Sequence, residues 1–226
     1  MEPLSPQVMH KLVFTILVHG LPDAQTGVAL EVLLEAQTNT NPQVRELAVV
    51  AIAELPISPA KRVAALIKAL QDSSARVRRR AARALGDFGM HALPAIQPLI
   101  LGLKDPDSSV RRDSAGALGR IGPASAPAVA NLVALLGEPD TRTRVVVAAA
   151  LKRIGRAAVP ALLDGLRHPD PELRARAATL LAKVAPDDEA VTAALRHAAT
   201  DRDEEVRKRV GEALEHVIVP LAFATT

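Results

Sequence analysis

No cysteine occurs anywhere in the chain, so disulfides, thiolate metal sites and cysteine nucleophiles are excluded. Tryptophan and tyrosine are also missing, and only Phe14, Phe88 and Phe223 carry an aromatic ring. Bases and sugars therefore have almost nothing to stack on. The N-terminal apolar run, Leu12–Val18, is interrupted by Thr15 and is far too short to span a bilayer. It follows Lys11, as a signal-peptide core would, but no small-residue cleavage site follows Gly20–Leu21–Pro22–Asp23. A capping helix is the better reading. Nothing asks for export, so a reducing cytoplasm is the implied setting. No segment sustains the period-two alternation of a strand. A formal net charge of +3 over 226 residues is not a strong field.

What remains is an apolar fraction of 49%, enough for a sizeable core. With so few aromatics, that core must be packed from Ala, Leu, Val and Ile, which suits closely approaching helices. The arrangement shows in the arginines. Arg45, Arg78, Arg111 and Arg144 are each 33 residues apart, Arg174 follows after 30, and Arg207 after another 33. Gly89, Gly122 and Gly155 keep the same step, with Ala185 coming 30 later. Pro94, Pro127 and Pro160 keep it, and so do Pro106 and Pro139, with Pro169 again 30 later. The three missing residues fall between Pro160 and Pro169, which shortens the first helix of that unit by nearly one turn.

Each unit reads as two helices. In the third, Ala92–Lys104 carries Leu93, Ile96, Leu99, Ile100 and Leu103 at helical spacing. Asp105–Pro106–Asp107–Ser108 ends that helix and caps the next. The second helix, Ser109–Ile121, places Val110, Ser114, Ala117, Leu118 and Ile121 on one side, and Gly122–Pro123 stops it. One pair alone could not bury its apolar face, so neighbouring pairs must stack. The expected fold is an all-α, right-handed α-α superhelix forming one solenoid domain. It has a capping helix in residues 1–21 and six repeats, at about 22–55, 56–88, 89–121, 122–154, 155–184 and 185–218. A tail, 219–226, is broken by Pro220.

The stretches Asp105–Pro106–Asp107–Ser108–Ser109–Val110–Arg111 and Ala115–Gly116–Ala117–Leu118–Gly119–Arg120–Ile121–Gly122 resemble HEAT repeats, and more narrowly the short HEAT-like units first described in phycobilin lyases. The resemblance covers nearly the whole chain after residue 21. It implies a ladder of hydrogen-bonded Asp and Arg side chains between successive repeats. The matching residues are Asp72 with Arg78, Asp105 with Arg111 and Asp201 with Arg207, with Glu138 and Arg144 a near match. Asn39 stands before Arg45 and His168 before Arg174, so the ladder should be weaker at those two turns. The fork of donors on arginine suits bridging a carboxylate and turn carbonyls.

Chemistry known on related repeats finds little support. The di-iron hydroxylases of this type use His-Glu dipeptides, and none is present. The six histidines, His10, His19, His91, His168, His197 and His216, include no pair at i, i+3 or i+4, so no metal or other cofactor is expected. Related DNA glycosylases surround an Asp with aromatics that this chain lacks. No Gly-x-Ser-x-Gly, phosphate-binding loop or dinucleotide fingerprint occurs. The phycobilin-lyase resemblance keeps open a lyase or chaperone-like subunit acting on a cofactor-bearing protein.

The resemblance also places the second helices on a concave side. Counting each motif's Val (or its equivalent) as zero, positions 4, 7, 8 and 11 face the core and 2, 3, 6 and 10 face outward. The outward set includes Arg79, Arg80, Arg83, Arg112, Arg120, Val145, Val146, Arg153, Arg176, Lys183, Lys208 and Arg209, with Lys152 beside them. Glu46, Leu47, Val50 and Glu54 in the first repeat and Asp113 in the third also face outward, so the groove is acidic and apolar at its start and mostly basic from the second repeat onward. Arg79–Arg80–Arg83 has no i+4 carboxylate on its own helix except Asp87. Such crowding does not favour a helix, which points to a use. The expected role is a non-catalytic, monomeric scaffold whose Arg-rich groove takes an acidic or mixed acidic/apolar protein segment. A nucleic-acid backbone is the other candidate, disfavoured by the missing aromatics.

Overall fold

The computed structural model describes residues 26–222, together with positions 7, 8, 11, 13 and 15. Those five are helical, and the rest of the expected capping helix and the end of the tail lie outside the described residues. Among the described residues there is no strand. The helices follow the expected plan: α1 (Thr26–Ala36), α2 (Pro42–Glu54), α3 (Pro59–Ala69), α4 (Ala75–Asp87), α5 (Ile96–Gly102), α6 (Ser108–Ile121), α7 (Val129–Ala134), α8 (Thr141–Ile154), α9 (Val159–Gly165), α10 (Pro171–Val184), α11 (Glu189–Ala198) and α12 (Glu204–Ala222). The last helix continues through Pro220, where the sequence suggests a break.

Odd-numbered helices are the first of each pair and even-numbered ones the second. From the third pair on, several first helices are shorter than their apolar stripes imply. Gly89–Ala95, Pro123–Ala128 and Gly155–Ala158 form 3₁₀ turns that run into α5, α7 and α9. Proline explains part of this, because Pro94 and Pro127 sit inside those turns and cannot donate to an α ladder. Gly122 and Gly155 close the preceding second helices at φ +86° and +80°, in the left-handed region that a side chain resists. The periodic glycine is thus a backbone requirement. Ala185, at the matching place in the short repeat, takes φ −146° instead.

Most inward positions behave as the count expects, although Ala84 and Phe88 in the second repeat and Leu214 in the sixth are only half-buried. Ala48, Ala51, Ile52 and Leu55 are buried in the first repeat, and Ser114, Ala117, Leu118 and Ile121 in the third. Val147, Ala150, Leu151 and Ile154 follow in the fourth. Small residues let second helices come close: a Cβ on Gly119 would lie 2.7 Å from the Cα of Ala150. Short carboxylate and amide side chains cap the second helices. Asn41 accepts from the Gln43 N–H, Asp140 from Arg142 and Thr143, and Asp170 from Glu172.

The chain divides into two compact units, residues 1–117 and 118–226, where a single domain is expected from the sequence. Each repeat touches mainly its neighbours, so a cut through such an array leaves most contacts within either half.

Candidate partner-binding face

The periodic arginines are positioned first by the turns that precede them. Arg78 donates from Nη1 to the carbonyls of Asp72 and Ser73, at 2.8 and 3.1 Å. Arg45, Arg111, Arg144, Arg174 and Arg207 make the same two backbone bonds in their own repeats. The carboxylate, however, comes from 27 residues further on. Arg45 grips Asp72, Arg78 grips Asp105 and Arg174 grips Asp201, each through Nε and Nη2 at 2.7–2.8 Å. Asp72, Asp105 and Asp201 each contribute a carbonyl to the Arg six residues on and a carboxylate to the Arg of the preceding repeat.

This geometry corrects the expected weak points. Arg45 and Arg174 are fully paired despite Asn39 and His168, because neither needs a carboxylate from its own turn. Arg174, at 5% exposure, is the one charged side chain among the described buried residues. The rung that His168 removes belongs to Arg144, one repeat earlier.

Burial pushes the Asp72 and Asp105 carboxyls up. The guanidinium bonds from Arg45 and Arg78 and the N–H groups of Ser74 and Asp107 outweigh it, holding both below the usual carboxylate range. For Asp201 the bond from Arg174 is the largest influence, and the result is again a lowered pKa.

The outward positions of residues 1–117 are basic but compensated. Arg80 meets Glu46 at 3.1 Å and Arg83 meets Asp113 at 3.2 Å. Arg79 lies 3.6 Å from Asp113, and Arg76 3.1 Å from Glu46. Glu46 and Asp113 stand on the second helices to either side, so the arginine cluster of α4 is braced from α2 and α6. A count along one helix cannot see those partners. Beside this cluster a concavity of about 480 Å³ is lined by Val50, Ala53, Glu54, Arg62 and Arg83 among others. Arg62 donates to the Ala53 carbonyl at 2.8 Å and lies over the Phe88 ring, 4.7 Å from its centre. Counting outward positions missed Arg62 because it sits on a first helix.

In residues 118–226 the outward positions are more open. Arg120, Val145, Lys152, Arg153, Lys183, Lys208 and Arg209 are exposed, while Val146 is half-buried. Lys152, Arg153, Lys183 and Lys208 have no carboxylate partner among the described residues. Two expected groove residues are engaged instead. Arg176 donates to the Leu136 carbonyl at 2.8 Å and pairs with Glu172. Arg209 pairs with Glu205 at 2.9 Å and with Glu212 at 3.2 Å. Ala175, expected to face outward, is buried, and Thr179 is half-buried. In the other half, Arg112 is half-buried and also engaged. A second concavity, of about 380 Å³, lies along this face between Leu136, Arg144, Ala148, Leu180 and Lys183.

Among the described residues no group of His, Asp and Glu stands close enough to hold a metal ion. Nor is any described helix long and apolar enough to cross a membrane.

The family model for HEAT repeats matches residues 30–100, 96–166 and 159–222. No curated protein matches the chain by sequence. Among solved structures, an engineered protein is 26% identical over 84% of this chain and 96% of its own, with a TM-score of 0.55. The complex of CpcE and CpcF of phycocyanin lyase from Nostoc sp. PCC7120 is 26% identical over 80% of this chain and 74% of that one, with a TM-score of 0.51. The archaeal HEAT-like repeats protein from Thermococcus onnurineus NA1 covers 97% of this chain and 99% of its own at 17% identity and a TM-score of 0.50, a likeness of fold alone.

Proposed function

This chain belongs to the HEAT-repeat family, and on that footing we propose that it is a non-catalytic interaction scaffold for an acidic or mixed acidic/apolar protein segment. The observation that carries the reading is the set of exposed, unpartnered cations on the second helices of residues 118–226: Lys152, Arg153, Lys183 and Lys208. A structural role would have given them carboxylates, as it gives Arg80 and Arg83. Exposed Val145, on the same helix as Lys152 and Arg153, supplies the apolar part of the surface. Charge then steers the partner and sets its register, and apolar contact holds it.

Capture from the native lysate tests this, with nuclease treatment in every arm. Wild type is expected to hold a defined acidic protein, and K152E/R153E/K183E/K208E to lose it. Equal capture by both proteins overturns the assignment of the face. Capture abolished by nuclease would instead make the partner a nucleic acid.

The likeness to the CpcE–CpcF complex supports a second reading, a lyase-type subunit that holds a cofactor-bearing protein. A change in bilin absorbance on mixing would favour it, and an unchanged spectrum would remove it.

A further inference from the structure

Arg144 is an incomplete rung. Its Nη1 is anchored as in the other repeats, on the Glu138 and Pro139 carbonyls at 2.6 and 2.7 Å. The same anchoring in Arg45, Arg78 and Arg174 leaves Nε and Nη2 to grip a carboxylate of the next repeat. For Arg144 that partner fails. The ladder Asp stands 27 residues after its Arg in the complete rungs, but the three-residue loss brings the corresponding turn position to His168, 24 residues on. His168 keeps only half of the Asp role. Its Nδ1 accepts the Asp170 N–H at 3.1 Å, just as Asp72, Asp105 and Asp201 accept the N–H two residues on. A ring nitrogen that accepts here leaves the proton of a neutral imidazole on Nε2, so the ring offers Arg144 no second acceptor. Nη2 of Arg144 turns to the Thr141 hydroxyl at 2.8 Å, and Nε has no acceptor among the described residues.

Arg144, with its Nε unfilled, lines the second concavity, where its surroundings favour an anion. Arg176 and Arg209 are already matched by Glu172 and Glu205, whereas Lys183 is not matched. Leu136, Ala148 and Leu180 supply apolar walls. We propose that this concavity is a carboxylate-binding subsite, in which an Asp or Glu side chain of the partner, flanked by an aliphatic residue, takes the place of the missing ladder Asp on Arg144, with Lys183 as the second cation. The proposal rests on the scaffold reading above and names one anchor within it.

The probe is the peptide N-acetyl-Leu-Asp-Leu-amide, titrated into the ¹⁵N-labelled full chain while the Arg144 Nε–Hε resonance is followed. The neutral Asn peptide is the control. The Asp peptide should shift that resonance and the Asn peptide should not. His168→Asp supplies the missing rung from within. It should move the resonance before any peptide is added, raise the thermal midpoint, and weaken the peptide by at least roughly tenfold, about 1.4 kcal/mol. Arg144→Gln should weaken it to a similar extent while also removing the two turn bonds from Nη1, so its thermal midpoint is read alongside, and Arg83→Gln should leave it alone. If the Asp and Asn peptides act alike, or His168→Asp binds as wild type does, the subsite is overturned. Lysate capture by His168→Asp separates the two levels. Capture that survives in His168→Asp but fails in K152E/R153E/K183E/K208E removes the subsite and keeps the scaffold reading. A peptide that seats on Arg144 while lysate capture ignores both variants does the reverse.

Discussion

The two halves of the molecule use the same helix positions for different ends. In residues 1–117 the outward arginines are locked to Glu46 and Asp113 from neighbouring second helices. In residues 118–226 Arg176 and Arg209 are paired on their own helices, but Arg153, Lys183 and Lys208 at equivalent positions, and Lys152 beside them, have no carboxylate partner among the described residues. A repeat fold fixes where side chains point, but the neighbouring repeats decide whether a charge is structural or available. An arginine cluster that looks most distinctive in the sequence can therefore be the better neutralised one.

The ladder is common to both halves and gives the largest effects. Asp201→Ala leaves Arg174 buried without its carboxylate and is expected to cost about 3 kcal/mol, read as a denaturation midpoint. Asp105→Ala, whose partner Arg78 is less buried, should cost about 2 kcal/mol. Equal and negligible losses would show that the rungs are ornament and the comparison is only one of surfaces.

Acid should act through the same groups. Asp72, Asp105 and Asp201 are held below the usual carboxylate range in the folded chain. Their contribution is therefore present above the unfolded carboxylate pKa of about 3.9, and it is lost as pH falls from there through the lower folded values. Thermal midpoints should show this loss below about pH 4, and the triple Asn variant should flatten it.

Charge reversal separates the halves. R79E/R80E/R83E removes the pairs with Glu46 and Asp113 and sets like charges against them, for an expected cost of about 1 kcal/mol in all, since these arginines are substantially exposed. The smallest effect is predicted for K152E/R153E/K183E/K208E, within about 0.5 kcal/mol of wild type, because those side chains hold nothing in place.

Much of this was legible in the sequence. The 33-residue step of arginine, glycine and proline gives the repeat, and the core positions of α2, α6 and α8 follow from the motif count. α6 starts at Ser108, one residue before the start the pattern predicts, and helix ends move that much with small changes in capping. The ladder was only partly legible. The six-residue spacing of Asp105 and Arg111 marks a real bond, but to the Asp carbonyl. The carboxylate pairs across repeats, which depends on stacking and is invisible in one repeat's spacing. For that reason the spacing assigns His168 to the wrong arginine. The count turns Glu46 and Asp113 outward, but their pairing is hidden for the same reason, since each lies about one repeat from the arginine it neutralises.

The account is tested most directly by measuring thermal midpoint and partner capture side by side on the two charge-reversal variants. R79E/R80E/R83E should lose a few degrees and retain most of its capture. K152E/R153E/K183E/K208E should keep its midpoint and lose its partner. The opposite split, or two variants that behave alike in both measurements, would contradict the division into a braced half and an available one.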